Sequence, residues 1–293
     1  MTATGKIRVG IGGWTFEPWR GVFYPDTLPQ KRELEFASRH LTTIEVNGTY
    51  YGSQKPDSFR KWHDETPDDF VFSLKAPRFA TNRKVLAESG ESITRFFNSG
   101  VALLGPKLGP INWQFMATKK FDPADFEAFL KLLPPEVENH PLRHVIEVRH
   151  DSFCTPEFID MAKAYGATVV LSADGEFPQI ADPTGPILYA RIMGTKADHP
   201  FGYSDGDLDL WVQRAKSWAA GDLPNGLNYI GKPAAATPRD VFLYVISGHK
   251  TLNPAAAMAL IERLGNHPPP RLFRVEPVPR SVLYFAQIQR GVP

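Results

Sequence analysis

The sequence predicts an α/β fold, specifically a single-domain (β/α)₈ TIM barrel with a C-terminal tail wrapping the outside. Three observations predict it. Short apolar runs alternate with helix-period segments along most of the 293 residues. No block is helix-only or strand-only, so neighbouring strands must pair in parallel through crossover connections. The length suits one large α/β barrel better than two ordinary domains. A doubly wound open sheet is the competing arrangement, and a closed eightfold barrel is the natural one.

In chain order, strands are expected near residues 7–12, 42–46, 70–75, 110–115, 144–149, 168–172, 187–192 and 241–246. Between them, Phe126, Phe129, Leu130 and Leu133 recur at helical spacing, as do Ala257, Leu260, Ile261 and Leu264. Leu208, Trp211, Val212, Ala215, Trp218 and Ala219 extend such a stripe over three turns. Asp122-Pro123, Thr155-Pro156 and Asn253-Pro254 each read as a capping residue before a proline at the first helical position. Gly166 closes the Thr155 helix. Residues 173–186 are too short and too rich in Pro and Gly for a full helix, and residues 221–239 read as an inserted loop. The barrel domain is assigned to residues 1–265. A Pro-rich extension, residues 266–293, carries a short helix near 281–289.

Composition narrows the function. Lys plus Arg total 33 against 32 Asp plus Glu, net +1, which argues against a strongly basic nucleic-acid surface while leaving room for a local patch. Cys154 is the single cysteine, so no intramolecular disulfide can form, which fits a reducing compartment. No apolar run approaches the ~20 residues that span a bilayer, and residues 1–6 lack the apolar core of a signal peptide. The expectation is a cytoplasmic protein with no membrane partner.

Side chains alternate across a strand, so one parity faces the barrel axis and the other faces the helices. In the second strand Glu45 and Asn47 oppose Ile44 and Val46. In the third, Ser73 and Lys75 oppose Phe72 and Leu74. Asn112 and Gln114 oppose Trp113 and Phe115, Glu147 and Arg149 oppose Ile146 and Val148, and Tyr189 and Arg191 oppose Ala190 and Ile192. The polar parity lies toward each strand's C-terminal end, the face where barrel active sites form. Glu45, Glu147 and Lys75 are the candidate catalytic groups. Asn47, Gln114, Arg149 and Arg191 are the candidate substrate contacts, arginine being suited to bidentate recognition of carboxylate or phosphate. The alternative is a buried ion lattice in which glutamates and arginines neutralise each other.

Several motifs resemble a known family. Gly13-Trp14-Thr15-Phe16-Glu17-Pro18-Trp19-Arg20-Gly21-Val22-Phe23-Tyr24-Pro25, followed by Leu28-Pro29, is similar to the opening signature of the YecE-like family, a bacterial and archaeal domain of unknown function. The likeness continues through Thr43-Ile44-Glu45-Val46-Asn47-Gly48-Thr49-Tyr50-Tyr51, Trp62, Thr66-Pro67, residues 70–75, Gln114 and Glu147-Val148-Arg149-His150. The resemblance implies a TIM barrel, distantly like sugar isomerases and endonuclease IV in architecture, and no established activity. Three positions depart from the family pattern. Asn82 stands where the family has histidine after the third strand, Met193 where it has histidine after the seventh, and Ser247-Gly248 where it has paired asparagines.

Other constellations point less sharply. The eight histidines show no metal-ligand spacing, so no cofactor is evident. A metal would have to draw on Glu45, Glu147, His150 and Asp174 at strand ends. Glu45 and Glu147 could also form a glycosidase pair, and Lys75 could form a Schiff base if its pKa were lowered. The aromatic run Trp14 to Tyr24 reads first as a plug at the barrel rim, with Trp14 and Tyr50 the aromatic residues placed to touch a ligand. Gly10-Ile11-Gly12-Gly13 lacks Rossmann spacing, and Cys154 is read as inert. The expected partner is a small anionic, sugar-like substrate carrying phosphate or carboxylate, with glutamate acid–base chemistry. The alternatives are a non-catalytic ligand- or nucleic-acid-binding protein, or a metal-dependent phosphodiester-processing enzyme.

Overall fold

A computed structural model describes residues 4–265. The expected tail, residues 266–293 with its helix near 281–289, lies outside the described residues.

Parallel strands β1 (Ile7–Gly12), β2 (Thr43–Val46), β3 (Val71–Lys75), β4 (Leu108–Gln114) and β5 (His144–Glu147) pair in sequence order. The sixth position holds two short pieces, Thr168–Val169 and Leu171–Ala173, together called β6. The first piece pairs with β5 and the second with β7 (Ile187–Ile192). β8 (Asp240–Val245) then joins β7 to β1. The sheet therefore closes through a strand that changes partner at Val170, whose N–H donates to Ile146 O at 2.9 Å. This is the expected (β/α)₈ barrel.

Outer helices α1 (Glu33–Ala37), α2 (Pro56–Glu65), α3 (Gly90–Phe97), α4 (Pro123–Lys131), α5 (Pro156–Ala164), α6 (Asp205–Ala220) and α7 (Asn253–Leu264) follow strands one to five, seven and eight. Asp122 caps α4 by accepting from the Ala124 and Asp125 N–H groups, Thr155 caps α5 by accepting from Phe158 N–H, and Gly166 stands just past its end at φ +62°. Asn253 departs from the expectation. It is the first residue of α7 and caps nothing. Its side chain instead accepts from Thr195 Oγ1 at 2.8 Å and donates to Ser247 O at 3.1 Å, tying the loop after β7 to the loop after β8.

Residues 174–186 form no helix, as their composition predicts. The long loop 221–239 packs against them. The Asp182 carboxylate, nearly buried, accepts from the Ile230 and Gly231 N–H groups at 2.8 and 2.7 Å, and Ala181 N–H donates to Asn228 O. Two irregular segments thus brace each other where a sixth helix would lie.

The sheet separates two apolar layers. Outside it, Ile11, Ile44, Phe72, Trp113, Ile146 and Leu243 pack against the helices in the large core. Inside it, Val71, Val145, Val170, Ile187, Phe242 and Tyr244 form a smaller cluster about the axis. On the inward parity of β1, above Arg8, Gly10 carries no side chain for a steric reason. A Cβ on Gly10 would sit 1.9 Å from Thr43 O, so only glycine lets the first two strands approach so closely. The aromatic run after β1 is a plug: Trp19 and Tyr24 are buried, Tyr24 donates to Trp14 O at 2.5 Å, and Trp19 Nε1 donates to Lys250 O. Among the described residues, no helix is long and apolar enough to cross a membrane.

Candidate functional site

Above the apolar floor the barrel axis turns polar. β2 and β7 are not neighbours, yet Tyr189 of β7 donates to Glu45 Oε2 at 2.6 Å. Arg191, two residues on and therefore on the same face, reaches Glu45 Oε1 at 3.0 Å with one guanidinium nitrogen and Glu147 Oε1 at 2.6 Å with another. Asn112 on β4 donates to Glu147 Oε2 at 3.1 Å and to Glu45 Oε2 at 3.3 Å. Arg149 closes on Glu147 Oε1 from the rim at 3.0 and 2.8 Å. Both carboxylates are fully buried, and four strands hold them.

Burial alone would push both glutamates toward the neutral form. For Glu45 that cost is outweighed by Arg191 and Lys75, and its pKa falls below the ordinary value. For Glu147 it is outweighed by Arg191, Arg149 and Lys75, which hold it down to about 2. A carboxylate so firmly ionised is a weak base and no acid near neutral pH. This weighs against acid–base chemistry by Glu147 in particular: the arginines that keep the pair ionised also lower its proton affinity. Arg191 is committed to the glutamates, and its remaining Nε is buried without a hydrogen-bond partner among the described residues.

Lys75 differs from the two arginines. It is 8% exposed at the C-terminal end of β3, and its Nζ makes no hydrogen bond with the described residues. It lies 5.3 Å from the centre of the Tyr50 ring. Burial, then Arg191, lowers its pKa to about 8, against the opposing pull of Glu45 and Glu147. Three cations against two carboxylates leave the mouth with one positive charge in excess when all are ionised. Asn112 Oδ1, Gln114 Oε1 and Ser172 Oγ are likewise buried without a hydrogen-bond partner among the described residues. Unsatisfied polar atoms are rare in native interiors; of the eight such side-chain atoms among the described residues, four lie on the inward parity of strands β4, β6 and β7, and Glu33, Thr81, Arg214 and Trp218 carry the others.

Of the residues expected at the site, Glu45, Glu147, Arg149 and Arg191 form one bonded group, with Lys75 in its field and Gln114 beside Glu147 in the β4–β5 register. Tyr50 joins through Lys75. Asn47 is half-buried against the Gly12–Gly13 turn, with no side-chain hydrogen bond to the described residues. Trp14 is not brought in: it packs edge-on against Trp62 of α2, 5.3 Å between ring centres, within the outer core. Asn112, Tyr189 and Ser73 were missed as site residues. Each shares the inward parity, which was the available signal, but a mid-strand phenol, amide or hydroxyl reads as core. Ser73 Oγ lies 2.9 Å from the Tyr189 hydroxyl and 3.0 Å from Pro110 O, and its single proton goes to one or the other. Met193 joins the inner apolar cluster. Among the described residues no group of three or more His, Cys, Asp or Glu is placed to hold a metal ion.

A cleft of about 240 Å³ lies outside this group, lined in part by Thr49, Pro77, Phe79, Arg83 and Arg95. It adjoins the mouth, since Thr49 donates to Lys75 O at 2.6 Å. Arg78 lies over the exposed rings of Tyr51 and Phe79 nearby.

A closed parallel barrel with its polar side chains at the strand C-terminal ends defines a TIM-barrel protein. The chain belongs to the family described as "Protein of unknown function DUF72", whose model matches residues 8–280. It is 29% identical over 150 residues to the UPF0759 protein YecE of Escherichia coli strain K12, covering 50% of each chain. It is 24% identical over 181 residues to UPF0759 protein YunF of Bacillus subtilis strain 168, covering 60% of each. The match thus spans about half the length of these curated relatives. The fold is shared with a DUF72 family protein of Thermotoga maritima MSB8, with TM-score 0.65 and 21% identity over 89% of this chain and 100% of that one. A DUF72 family protein of Enterococcus faecalis V583 gives 0.64 and 17% over 90% and 99%.

Proposed function

We propose that the barrel mouth binds a small anionic metabolite bearing hydroxyl groups, and that this chain is an enzyme acting on it. The observation that carries the reading is Lys75: a nearly buried cation without a hydrogen bond among the described residues, in a mouth with excess positive charge. A substrate carboxylate or phosphate supplies the missing partner, with Arg149, still partly exposed, as the second cation. The orphaned oxygens of Asn112 and Gln114 are acceptors only and call for hydroxyl donors. Anion and hydroxyls on one small molecule describe a phosphorylated or carboxylated sugar. Glu45 and Glu147 act in this reading as fixed charges that aim Arg191 and Arg149, and Lys75 is the group able to exchange a proton near neutral pH.

The test compares glycerol 3-phosphate and gluconate with neutral glycerol as thermal stabilisers. A ligand at a hundredfold excess over its Kd adds about 2.7 kcal/mol, so the anions should raise Tm by several degrees and glycerol should not. Arg149→Gln and Gln114→Ala should each reduce the shift. Equal responses to all three compounds would sink the reading.

A second reading is that nucleic acid docks across the mouth, favoured by the exposed rings of Tyr51 and Phe79 flanking Arg78. Binding of this kind weakens steeply with salt, and a flat salt response would remove it.

A further inference from the structure

We propose that Lys75 is a nucleophile that forms an imine with the carbonyl carbon of an anionic oxo compound. The inference rests on the reading that the mouth takes a small anion, and it deepens that reading by naming the reaction.

The geometry separates Lys75 from every other cation of the mouth. Arg149 and Arg191 are tied to Glu147 and Glu45 by bonds of 2.6 to 3.0 Å. Lys75 Nζ has the face of Tyr50 on one side and no hydrogen bond to the described residues. A nitrogen that must attack a carbonyl needs its lone pair, so it must be neutral and unencumbered. Burial and the two arginines oppose its charge, and its pKa near 8 leaves a neutral fraction at physiological pH. An exposed lysine, titrating near 10.4, has almost none. Against this, Glu45 and Glu147 face Lys75 and favour its charged form, and Tyr50 does so through its ring. That opposition suits the product. Once the imine is protonated, its positive charge occupies the position of the ammonium, in the field of the same two carboxylates.

The step balances without a further reagent. Nζ adds to the carbonyl carbon, forming the C–N bond as the carbonyl π bond opens onto oxygen. The carbinolamine then loses its oxygen as water. The two hydrogens of that water come from the neutral amine, by way of solvent, and the C=N double bond forms. Solvent protonates the imine. The anionic group of the substrate meets Arg149, and hydroxyls meet Asn112 and Gln114. Substrates of two kinds carry this chemistry, a 2-oxo acid or a ketose phosphate.

The experiment treats the full chain with pyruvate or with dihydroxyacetone phosphate, adds sodium borohydride to deliver hydride to the imine carbon, and maps the stable secondary amine by peptide mass spectrometry. Neutral dihydroxyacetone serves as the control, and phosphate-induced thermal stabilisation is measured on the same preparation. The expected result is one adduct per chain on Lys75, at least tenfold above any exposed lysine such as Lys61, with a rate half-maximal near pH 8 and none in Lys75→Arg. Trapping by pyruvate alone identifies a 2-oxo acid, and trapping by dihydroxyacetone phosphate alone identifies a ketose phosphate. Adducts spread evenly over exposed lysines, or no adduct while phosphate still raises Tm, overturn the imine and leave anion binding standing. Neither adduct nor phosphate stabilisation overturns both. The mapping on the wild-type chain decides the matter even if the variant fails to fold.

Discussion

The Tyr189 hydroxyl donates to Glu45 Oε2 at 2.6 Å, joining β7 to β2 across the barrel. The Tyr189 hydroxyl oxygen also lies 2.9 Å from Ser73 Oγ, which alone can donate in that contact, so three strands meet at one phenol. Burial, then the charge on Glu45, raises the Tyr189 pKa well above its ordinary value, which keeps it a donor. Removing it by Tyr189→Phe leaves a fully buried carboxylate short of one donor. Hydrogen bonds to charged groups contribute about 1.5–3 kcal/mol. Urea unfolding of Tyr189→Phe should show a loss of that size, and a loss below about 0.5 kcal/mol would mean that Arg191 and Asn112 suffice to hold Glu45.

Arg191 should be far less dispensable. It bridges Glu45 and Glu147, so Arg191→Met leaves Glu45 without its ion-pair partner and Glu147 to Arg149 alone. Breaking a buried pair costs about 3–5 kcal/mol because the partner charge stays buried. A double change, Arg191→Met with Glu45→Gln, removes one of those charges and should recover part of the loss. Failure to recover any stability would show that the carboxylates are solvated by other means.

The mouth also predicts how stability responds to pH. Glu147 is held down to about 2, below its unfolded value near 4.3. It therefore contributes stability above the unfolded pKa that is lost as pH falls toward 2. Lys75 runs the other way. Its folded pKa of about 8 lies below its unfolded value, so between pH 8 and about 10.4 the unfolded chain binds more protons and stability rises with pH. The expected difference between wild type and Lys75→Met is a positive slope across that window, on the order of 2–3 kcal/mol in total. Parallel curves for the two proteins would show that Lys75 titrates like an exposed lysine.

Much of this was legible in the chain because a strand's period of two is rigid. Once Ile44 and Val46 point outward, Glu45 has nowhere to go but the axis, and Glu147, Arg149 and Arg191 follow by the same step. The partners within that group were not legible. Strand parity gives a face, whereas the pairing of Arg191 with both glutamates depends on barrel stagger and on distances between strands far apart in sequence. Trp14 misled for a related reason: it lies next to the strand end, but the turn at Gly13, φ +74°, sends its ring out to Trp62. The fate of the sixth helix was half visible. The composition of residues 174–186 ruled a helix out, while the docking of loop 221–239 through Asp182 is a long-range contact that no local pattern announces.

Asn253 offers a test of local pattern against tertiary context. The Asn-Pro pair reads as a helix cap, and as caps Asn and Asp are equivalent, so the cap reading expects Asn253→Asp to be neutral. The structure uses the side chain otherwise. Its Nδ2 donates to Ser247 O at 3.1 Å, and its Oδ1 accepts from Thr195 at 2.8 Å, at 2% exposure. Aspartate keeps the acceptor but sets an oxygen against the Ser247 carbonyl and buries a charge. Ser247 and Gly248 both stand at positive φ, +57° and +55°, so the loop this bond restrains holds a conformation that a serine adopts reluctantly. Asn253→Asp should therefore cost about 1–3 kcal/mol in urea unfolding. It should also raise the hydrogen-exchange rates of the His249 amide, which donates to Thr195 O in the same brace. Unchanged stability and exchange would return Asn253 to the role its sequence context suggests.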